Sequence, residues 1–292
     1  MSSGHPSLLL TGARGQLARS LASVARARGH SVDALAREDL DIAEPAEVAC
    51  ALERARPGVL INCAAFTRVD LCEEQPEEAR RANAIGPEIL ARACAGRALL
   101  VHVSTEYVFP GRTPSPIPEE AETGPLCEYG RSKLAGERAI REVGGDHLIA
   151  RTQWIFGPGP NFVRTILGAA KAGRPLRVVE DQLGRPTWTQ ALAGAILDAL
   201  DAGARGTLHL ACEGVVSWYE LAVEAVQEGA RRGWNAEIPV EAISTAEMPR
   251  PAARPAYGVL GLERARRLGI ELPHWRAALL GYLDAEEECS GE

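Results

Sequence analysis

Tyr129 and Lys133 stand four residues apart in a segment, Glu128–Glu142, whose composition predicts a helix. Side chains at this spacing lie on one helix face, one turn apart. A phenol has an ordinary pKa of about 10, and a neighbouring cation lowers that pKa because it stabilises the phenolate. The pair therefore predicts an acid that protonates a carbonyl oxygen, with Lys133 tuning Tyr129. A surface helix that carries both residues by chance is the alternative.

Hydroxyl and carboxyl groups stand at the end of the predicted strand Leu99–Ser104. Thr105 is the candidate to hydrogen-bond a carbonyl oxygen and align it beside the phenol, with Ser104 as the competing hydroxyl. A hydroxyl that merely caps a helix is the alternative. Glu106 either assists proton delivery or faces solvent. His102 is interpreted as a packed core histidine rather than a catalytic one.

A glycine turn, Thr-Gly-Ala-Arg-Gly-Gln-Leu-Ala at 11–18, joins the predicted strand Ser7–Thr11 to the predicted helix Gln16–Ala27. In this position, Gly12 permits the tight turn and Gly15 lets a pyrophosphate approach the backbone. The helix N-terminus then faces the phosphates, and its free N–H groups and partial positive charge favour an anion. The turn predicts a dinucleotide-binding site at the first strand-to-helix junction.

The end of the second predicted strand bears on the choice of dinucleotide. Arg37 stands where an acidic residue would bind the ribose 2′-hydroxyl of NAD. Together with Arg14, it favours a 2′-phosphate and hence NADPH, although a solvated Arg37 and a preference for NADH stay open. Asp39 and Asp41 could instead contact the adenine or its ribose.

Small residues end the third predicted strand, Val59–Ala64. Ala64 and Ala65 would let a ligand that crosses the carboxyl edge of the sheet approach the backbone closely, with ordinary packing as the alternative. The glycine turn, these alanines and Thr105 follow three strands, and parallel strands end at the same edge. We therefore expect one site to contain all three.

Strands and helices alternate along the first half of the chain. This order predicts an α/β fold with a doubly wound, Rossmann-like parallel sheet covered on both faces. We predict a dinucleotide-binding domain at 1–156 and, at 157–292, a smaller lobe interleaved with the last strands and bearing mainly the substrate site. Pro239–Pro255 is expected to be mostly extended loop, and the acidic end Asp284–Glu292 to be frayed. Further predicted elements are strands His30–Ala36 and His147–Trp154, and helices Glu44–Arg56 and Pro76–Ala95.

The composition limits the function classes. The 292 residues are 46% hydrophobic and 24% charged, which is typical of soluble globular proteins. A net charge of -7 without a basic tract argues against a nucleic-acid partner. The seven cysteines are scattered and odd in number, which favours reduced thiols in the cytoplasm. No apolar run is long enough for a membrane helix, no His/Cys/Asp cluster suggests a metal, and no Gly-x-Ser-x-Gly elbow suggests a hydrolase.

Several motifs together resemble one family. The chain resembles the dTDP-4-dehydrorhamnose reductases, a branch of the extended short-chain dehydrogenases, and the matching segments run in the family's order over nearly the whole chain. The Tyr-x-x-x-Lys and glycine elements are shared by the superfamily, whereas Asp-Gln-x-Gly-x-Pro-Thr and Arg-Pro-x-Tyr are more particular to this branch. The matching segments after the glycine turn are Asn62–Asp70, Ser104–Phe109, Tyr129–Glu137, Arg151–Phe156, Asp181–Thr187 and Arg254–Tyr257.

The resemblance implies reduction of the 4-keto group of dTDP-4-dehydro-L-rhamnose to dTDP-L-rhamnose by NADPH or NADH, in a monomer or homodimer. It implies Thr105, Tyr129 and Lys133 as the catalytic trio, and Trp154 beside Thr105 and Glu106 on the sugar side. The cofactor residues it implies, in addition to Tyr129 and Lys133, are Gly12, Gly15, Gln16, Leu17, Ala64, Ala65, Thr67 and Tyr107.

Two positions depart from the family's pattern. Glu106 stands where an Asp is usual, and Phe66 stands where a His is common. The first bears on positioning near the ketone, and the second on the identity of the sugar. Some relatives bind magnesium through glutamates at a dimer contact, which the sequence does not locate here. A ketoreductase for another dTDP-4-keto deoxysugar and a non-catalytic, cofactor-binding regulatory subunit are the alternative functions.

Overall fold

Six parallel strands form the central sheet of the protein, whose computed structural model describes residues 5–112 and 114–290. Their order across the sheet is β10-β5-β4-β3-β1-β2. In chain order the strands are β1 (Leu8–Thr11), β2 (Val32–Leu35), β3 (Val59–Asn62), β4 (Leu99–Thr105), β5 (His147–Thr152), β6 (Ile155–Phe156), β7 (Leu176–Val179), β8 (Leu183–Gly184), β9 (Thr187–Trp188), β10 (Gly206–His209), β11 (Val216–Ser217) and β12 (Val240–Ile243).

Helices connect these strands. They are α1 (Gln16–Ala27), α2 (Pro45–Ala55), α3 (Val69–Glu74), α4 (Pro76–Arg80), α5 (Gly86–Cys94), α6 (Glu128–Val143), α7 (Phe162–Lys171), α8 (Thr189–Asp201), α9 (Trp218–Arg231), α10 (Glu263–Arg267) and α11 (Trp275–Ser290). A π-helical turn, Arg81–Ile85, lies between α4 and α5, and short 3-10 turns occupy Glu106–Val108 and Thr245–Glu247. No helix of the described part of the chain is long and apolar enough to cross a membrane.

The sheet is buried on both faces because its strands are continuous apolar runs. In β1, Leu8 and Leu10 pack into the cluster formed with α1 and α8, whereas Leu9 packs into the opposite cluster formed with α2, α5 and α6. This alternation repeats in β3, where Ile61 and Leu60 face opposite layers. The predicted doubly wound, parallel α/β fold is confirmed.

The second half of the chain contributes to the sheet as well as to the region beside its carboxyl edge. Strand β10 pairs with β5 in parallel and forms one edge of the sheet. The other late strands form two-stranded pairs, β6 with β9, β7 with β12 and β8 with β11. These pairs position the loops that follow β5.

Several predicted elements differ from the structure in their bounds or type. The helix predicted at Pro76–Ala95 is divided by the π turn, and β5 ends at Thr152 rather than at Trp154. Part of the loop predicted at Pro239–Pro255 is strand β12, which pairs with β7. The frayed end expected at Asp284–Glu292 was wrong as far as Ser290, where α11 ends, and the last two residues lie outside the described range. Arg232 binds the Asp284 carboxylate at 2.5 Å, which helps to hold that helix in place.

Candidate active site

A cleft of about 1120 Å³ lies along the carboxyl ends of β1, β3 and β4. With one exception, every residue that the sequence placed in the site lines this cleft. The exception is Asp39, whose carboxylate instead accepts the backbone N–H of Ala36 at 3.1 Å. The lining residues among the predicted ones are Gly12, Gly15, Gln16, Leu17, Arg37, Ala64, Ala65, Thr67, Thr105, Glu106, Tyr107, Tyr129, Lys133 and Trp154.

The glycine turn forms a backbone cradle at one end of the cleft. Gly12 has a φ of +71°, and a Cβ on it would lie 2.8 Å from the Ala64 nitrogen, so the turn tolerates no side chain here. Gly15 precedes α1, and no side chain caps the first turn of that helix. The Gln16 Oε1 atom is buried in the cleft lining and has no hydrogen-bond partner among the described residues. The free backbone N–H groups of an uncapped helix start fit the pyrophosphate of a dinucleotide, whereas the Gln16 oxygen can only accept from a donor such as a ribose hydroxyl.

Exposed charges surround the outer part of this end. Arg14 forms an ion pair with Glu38, and the Arg37 guanidinium lies 3.9 Å from the Asp41 carboxylate. Asp41 also receives a hydrogen bond from Arg81 at 2.8 Å. All five residues line the cleft, so two arginines, Arg14 and Arg37, border the region after β2 where a ribose 2′-phosphate would bind.

At the opposite end, Thr105, Glu106 and Tyr129 lie together. The Thr105 hydroxyl donates to Glu106 Oε2 at 2.7 Å and accepts the backbone N–H of Tyr107 at 3.2 Å. The Tyr129 ring packs edge-on against that of Tyr107 with 5.4 Å between centroids. The sequence-predicted hydroxyl and phenol thus line the same end of the cleft, and Glu106 is buried beside Thr105 rather than in solvent.

Burial controls the acidity of these groups. It raises the pKa of Tyr129, and the nearby Glu106 carboxylate raises that pKa further, while the Thr105 hydroxyl opposes both effects. Burial likewise raises the pKa of Glu106 to about 7, against the hydrogen bonds from Thr105 and from its own backbone N–H. The phenol of Tyr129 therefore carries its proton at neutral pH. The Glu106 carboxyl changes its charge close to neutral pH.

Lys133 has other partners than the phenol one turn earlier. Its Nζ donates to the Val103 carbonyl at 2.7 Å and lies 3.2 Å from Nε2 of His102. Burial lowers the pKa of Lys133 to about 8, while the charges of Glu137 and Cys63 oppose that shift. His102 is buried, as predicted, but its contact with Lys133 makes it more than packing. That contact could not be predicted from the sequence, because it joins a strand to a helix.

Two tryptophans line the cleft beyond Thr105 and Tyr129. Trp154 stacks on Trp218 with 3.7 Å between ring centroids and an angle of 13° between their planes. Trp154 has a φ of +46°, a left-handed conformation that is rare for a bulky residue. Its ring covers Gly184, where a Cβ would lie 2.5 Å away, so only glycine fits beneath it. Trp218 also lines the cleft and was missed by sequence reasoning.

Asn83 supports the cleft from the π turn. Its side chain accepts the backbone N–H of Phe66 at 2.8 Å and donates to the Phe66 carbonyl at 3.0 Å and to the Ser132 hydroxyl at 3.0 Å. Its own carbonyl lies where a Cβ on Gly136 would be 2.1 Å away, so α6 approaches closely only because of that glycine. Asn83 thereby connects the loop after β3 to the helix of Tyr129. Insertion of a π turn at a functional site is a recurring feature of helices.

An ion pair fixes the loop that follows the Thr245–Glu247 turn. Both terminal nitrogens of Arg254 donate to Asp70, each at 2.9 Å, and the backbone N–H of Ala252 donates to the same carboxylate. The hydrogen bond from Arg254 is the largest influence on the Asp70 carboxyl, and the pKa of that group is lowered. This two-pronged ion pair joins two of the segments that resemble the family, Asn62–Asp70 and Arg254–Tyr257. It holds the loop that contains Arg254 against α3.

Comparison with known proteins agrees with this geometry. The family model described as RmlD substrate binding domain matches residues 6–288. A dTDP-4-dehydrorhamnose reductase of Mycolicibacterium smegmatis is 42% identical over 93% of this chain and 83% of the relative. A dTDP-4-keto-6-deoxy-D-glucose reductase of Streptomyces niveus is 38% identical over 93% of this chain and 94% of the relative.

A solved structure of a relative also has the same fold. The dTDP-4-dehydrorhamnose reductase of Bacillus anthracis, in complex with NADP, superimposes with a TM-score of 0.91 at 31% identity and covers 96% of this chain and 99% of its own. The match to the family model spans almost the whole chain. The relatives cover more than nine tenths of it, at sequence identities above those of proteins that share only a fold. The chain therefore belongs to the dTDP-4-dehydrorhamnose reductase family, whose members are NAD(P)-dependent oxidoreductases.

Proposed function

We propose that this protein reduces the 4-keto group of dTDP-4-dehydro-L-rhamnose to give dTDP-L-rhamnose, with NADPH as the preferred reductant and NADH as the alternative. The observation that carries the proposal is that Tyr129, Lys133 and Thr105 line one end of a cleft whose other end is a glycine cradle. The named relatives support the substrate class, and the NADP complex of the Bacillus anthracis enzyme supports the cofactor.

The cradle residues fit the cofactor by shape and by the free backbone N–H groups at the start of α1. Gly12, Gly15 and the first turn of α1 would hold the pyrophosphate, and Arg14 and Arg37 would leave Glu38 and Asp41 to hold the 2′-phosphate. The remaining cofactor residues are proposed to be Gln16, Leu17, Ala64, Ala65, Thr67 and Tyr107, with Tyr129 and Lys133 beside the nicotinamide ribose. Asp39 does not line the cleft and instead binds the Ala36 N–H, so it is not proposed to contact the cofactor. When bound, the cofactor supplies the hydride.

Tyr129 supplies the proton. Its burial keeps the phenol protonated, so the proton is present when the ketone oxygen gains negative charge. Thr105 aligns that oxygen by donating its own hydroxyl proton, for which it must release the Glu106 carboxylate that it binds here. A protonated Glu106 can donate to Thr105 in return, so the reaction is favoured when Glu106 is neutral.

The sugar nucleotide is proposed to bind mainly to residues 157–292, with Trp154 and Trp218 as an aromatic platform for the sugar or the base. A different dTDP-4-keto deoxysugar is the second candidate. It is favoured by Phe66 and Glu106, which depart from the family's pattern beside the ketone, and by the name of the Streptomyces niveus relative. We place the reaction in the cytoplasm, because the six cysteines with described side chains are free thiols. The proposed enzyme is a monomer or a homodimer.

The test is oxidation of NADPH and NADH by purified protein with dTDP-4-dehydro-L-rhamnose, followed by the stereochemistry of the product. Tyr129→Phe should lower the rate by about 10²- to 10⁴-fold and leave NADPH binding intact, because only the proton donor is lost. Tyr219→Phe is the matched control, since Tyr219 lies on α9 and is not among the residues lining the cleft.

Three outcomes would separate the candidates. Turnover of another 4-keto sugar, but not of the rhamnose precursor, would identify the second candidate. Tight NADPH binding without turnover of any 4-keto sugar would indicate a regulatory subunit. Full activity of Tyr129→Phe would overturn the assigned proton donor.

A further inference from the structure

A buried chain of hydrogen bonds extends from β1 to Lys133 behind the cleft. Asn62 Oδ1 accepts the Thr11 hydroxyl at 2.6 Å and the backbone N–H of Ala64 at 3.1 Å. The Asn62 Nδ2 atom lies 3.0 Å from Nδ1 of His102, and His102 Nε2 lies 3.2 Å from Lys133 Nζ. Asn62, His102 and Lys133 are each at most 2% exposed.

The direction of every bond in this chain follows from the Ala64 backbone. A backbone N–H can only donate, so the Asn62 atom that it contacts is the oxygen, and the atom facing His102 is the NH₂ group. An amide NH₂ group has no acceptor capacity, so Nδ1 of His102 must accept from it. Burial and the charge of Lys133 lower the pKa of His102 well below its usual range, and the neutral ring carries its single proton on Nε2.

That proton points at Lys133. An ammonium group has three donors and no acceptor, so it would oppose the His102 N–H, whereas a neutral amine can accept it through its lone pair. The amine still donates one N–H to the Val103 carbonyl. The bond pattern is complete only when Lys133 is uncharged.

We propose that Asn62 and His102 are positioning residues for Lys133: Asn62 locks His102 with its proton on Nε2, and that N–H favours the neutral amine of Lys133 over its ammonium. Lys133 then changes its charge within the working pH range of a reductase. Its positive charge is present at lower pH and disappears as the amine forms.

Other groups around Lys133 act in the opposite direction. Glu137, one turn later on α6, and Cys63, after β3, both raise the pKa of Lys133, while burial lowers it. The Glu137 carboxylate is already bound by Arg151 at 2.6 Å, which reduces its influence. Tyr129, one turn earlier on the same helix, is neutral. The described contacts thus provide Lys133 with no carboxylate of its own, and the His102 N–H stands directly against its nitrogen.

The sequence makes the test unusually clean, because it contains two lysines, Lys133 and Lys171. Protein labelled with ¹³C at lysine Cε gives one signal for each, and Lys171→Arg identifies the signal of the exposed Lys171 without changing the charge. We expect the Lys133 signal of the full chain to titrate with a midpoint near pH 8. Side-chain ¹⁵N spectra of His102 should show a protonated Nε2 and an unprotonated Nδ1.

Asn62→Asp tests the cause. A carboxylate facing His102 accepts a proton from Nδ1, so Nε2 becomes an acceptor for the Lys133 ammonium. The ¹⁵N spectrum should show the exchanged tautomer, and the Lys133 midpoint should rise by about one unit or more. Thr11→Val is the matched control, because it removes one donor to Asn62 Oδ1 and leaves the Ala64 N–H. The His102 tautomer should not change in that variant.

A wild-type His102 with its proton on Nδ1 would overturn the proposal, as would a Lys133 midpoint unmoved by Asn62→Asp when the tautomer has exchanged. If Asn62→Asp does not fold, the wild-type tautomer alone decides. The inference rests on the proposed function only for the role of Lys133 in reduction. Both spectra are recorded without substrate, so failure of the reductase proposal would appear in the turnover assay and not in them.

Discussion

Glu106 and Glu137 are two buried carboxylates on either side of the same strand end, and their surroundings shift their pKa in opposite directions. Glu137 accepts two nitrogens of Arg151, at 2.9 and 2.6 Å, together with the Ser104 hydroxyl at 2.6 Å. Its pKa is lowered, since these partners outweigh the burial that would raise it. Glu106 has the Thr105 hydroxyl as its side-chain partner, and its pKa rises to about 7.

One residue type thus has two different uses, a structural one at Glu137 and a chemical one at Glu106. A fully partnered carboxylate stays ionised and fixes α6 to β5 through Arg151. A carboxylate with one hydroxyl partner is costly when ionised, and it changes its charge in the pH range where an enzyme works. The difference arises from the number and the positive charge of the donors, because both side chains are almost fully removed from solvent.

The largest expected effect comes from removing the partner of Glu137. Arg151→Met should lower the free energy of unfolding by about 3 to 5 kcal/mol, because it leaves a buried carboxylate without its main counter-charge. Urea unfolding at pH 7 measures the loss. Arg92→Met, which removes an exposed pair with Glu88 on α5, is the control and should change stability by about 0.5 kcal/mol or less. A loss no larger than the control would show that Glu137 is not compensated by Arg151.

Removing the charge of Glu106 should raise the free energy of unfolding, whereas removing Arg151 should lower it. Its folded-state pKa of about 7 lies above the usual 4.5, so its contribution is fully present below pH 4.5 and is lost as the pH rises through 7. Glu106→Gln should therefore be more stable than the wild type at pH 8 by about 3 kcal/mol, at about 1.4 kcal/mol per pKa unit. At pH 4 the two proteins should be nearly equal. Equal unfolding free energies at pH 8 would contradict a buried, ionised Glu106.

The smallest effect concerns the outermost partner of Glu137. Arg141 donates to Glu137 at 2.9 Å but is 38% exposed, so solvent screens the pair. Arg141→Ala should lower the free energy of unfolding by about 1 kcal/mol or less, because Arg151 still binds both carboxylate oxygens. A loss as large as that of Arg151→Met would mean that the two arginines act as one unit, which the double variant would measure.

The residues that could be located from the sequence depend on local geometry. A single strand-to-helix junction is enough to locate the glycine turn. One helix is enough to place Tyr129 and Lys133 on the same face, and one strand end is enough to locate Thr105. The alternation of elements then brings them to one edge. The parallel sheet followed from the same pattern, and its helix and strand ends differ from prediction by only a few residues.

The residues that sequence reasoning missed depend on contacts between distant segments. Trp218 meets Trp154 across 64 positions, and although the Ser217 and Glu220 capping box marks the start of α9, it does not indicate what packs there. Asn83 acts because a π turn interrupts a helix that was predicted to be continuous. His102 appeared to be only a core residue, because its proposed role depends on which ring nitrogen carries the proton. A sequence pattern does not indicate that.

The stacked indoles at the mouth of the cleft also have an optical consequence. Two tryptophan rings 3.7 Å apart and nearly parallel share their electronic excitation, and such a pair gives a paired signal in circular dichroism that single indoles lack. Only five tryptophans are present in the chain, so this signal would stand out. If the proposed sugar nucleotide inserts between Trp154 and Trp218, or turns one of them, the signal would be lost. The two indoles would then report binding at the proposed sugar site without any added label.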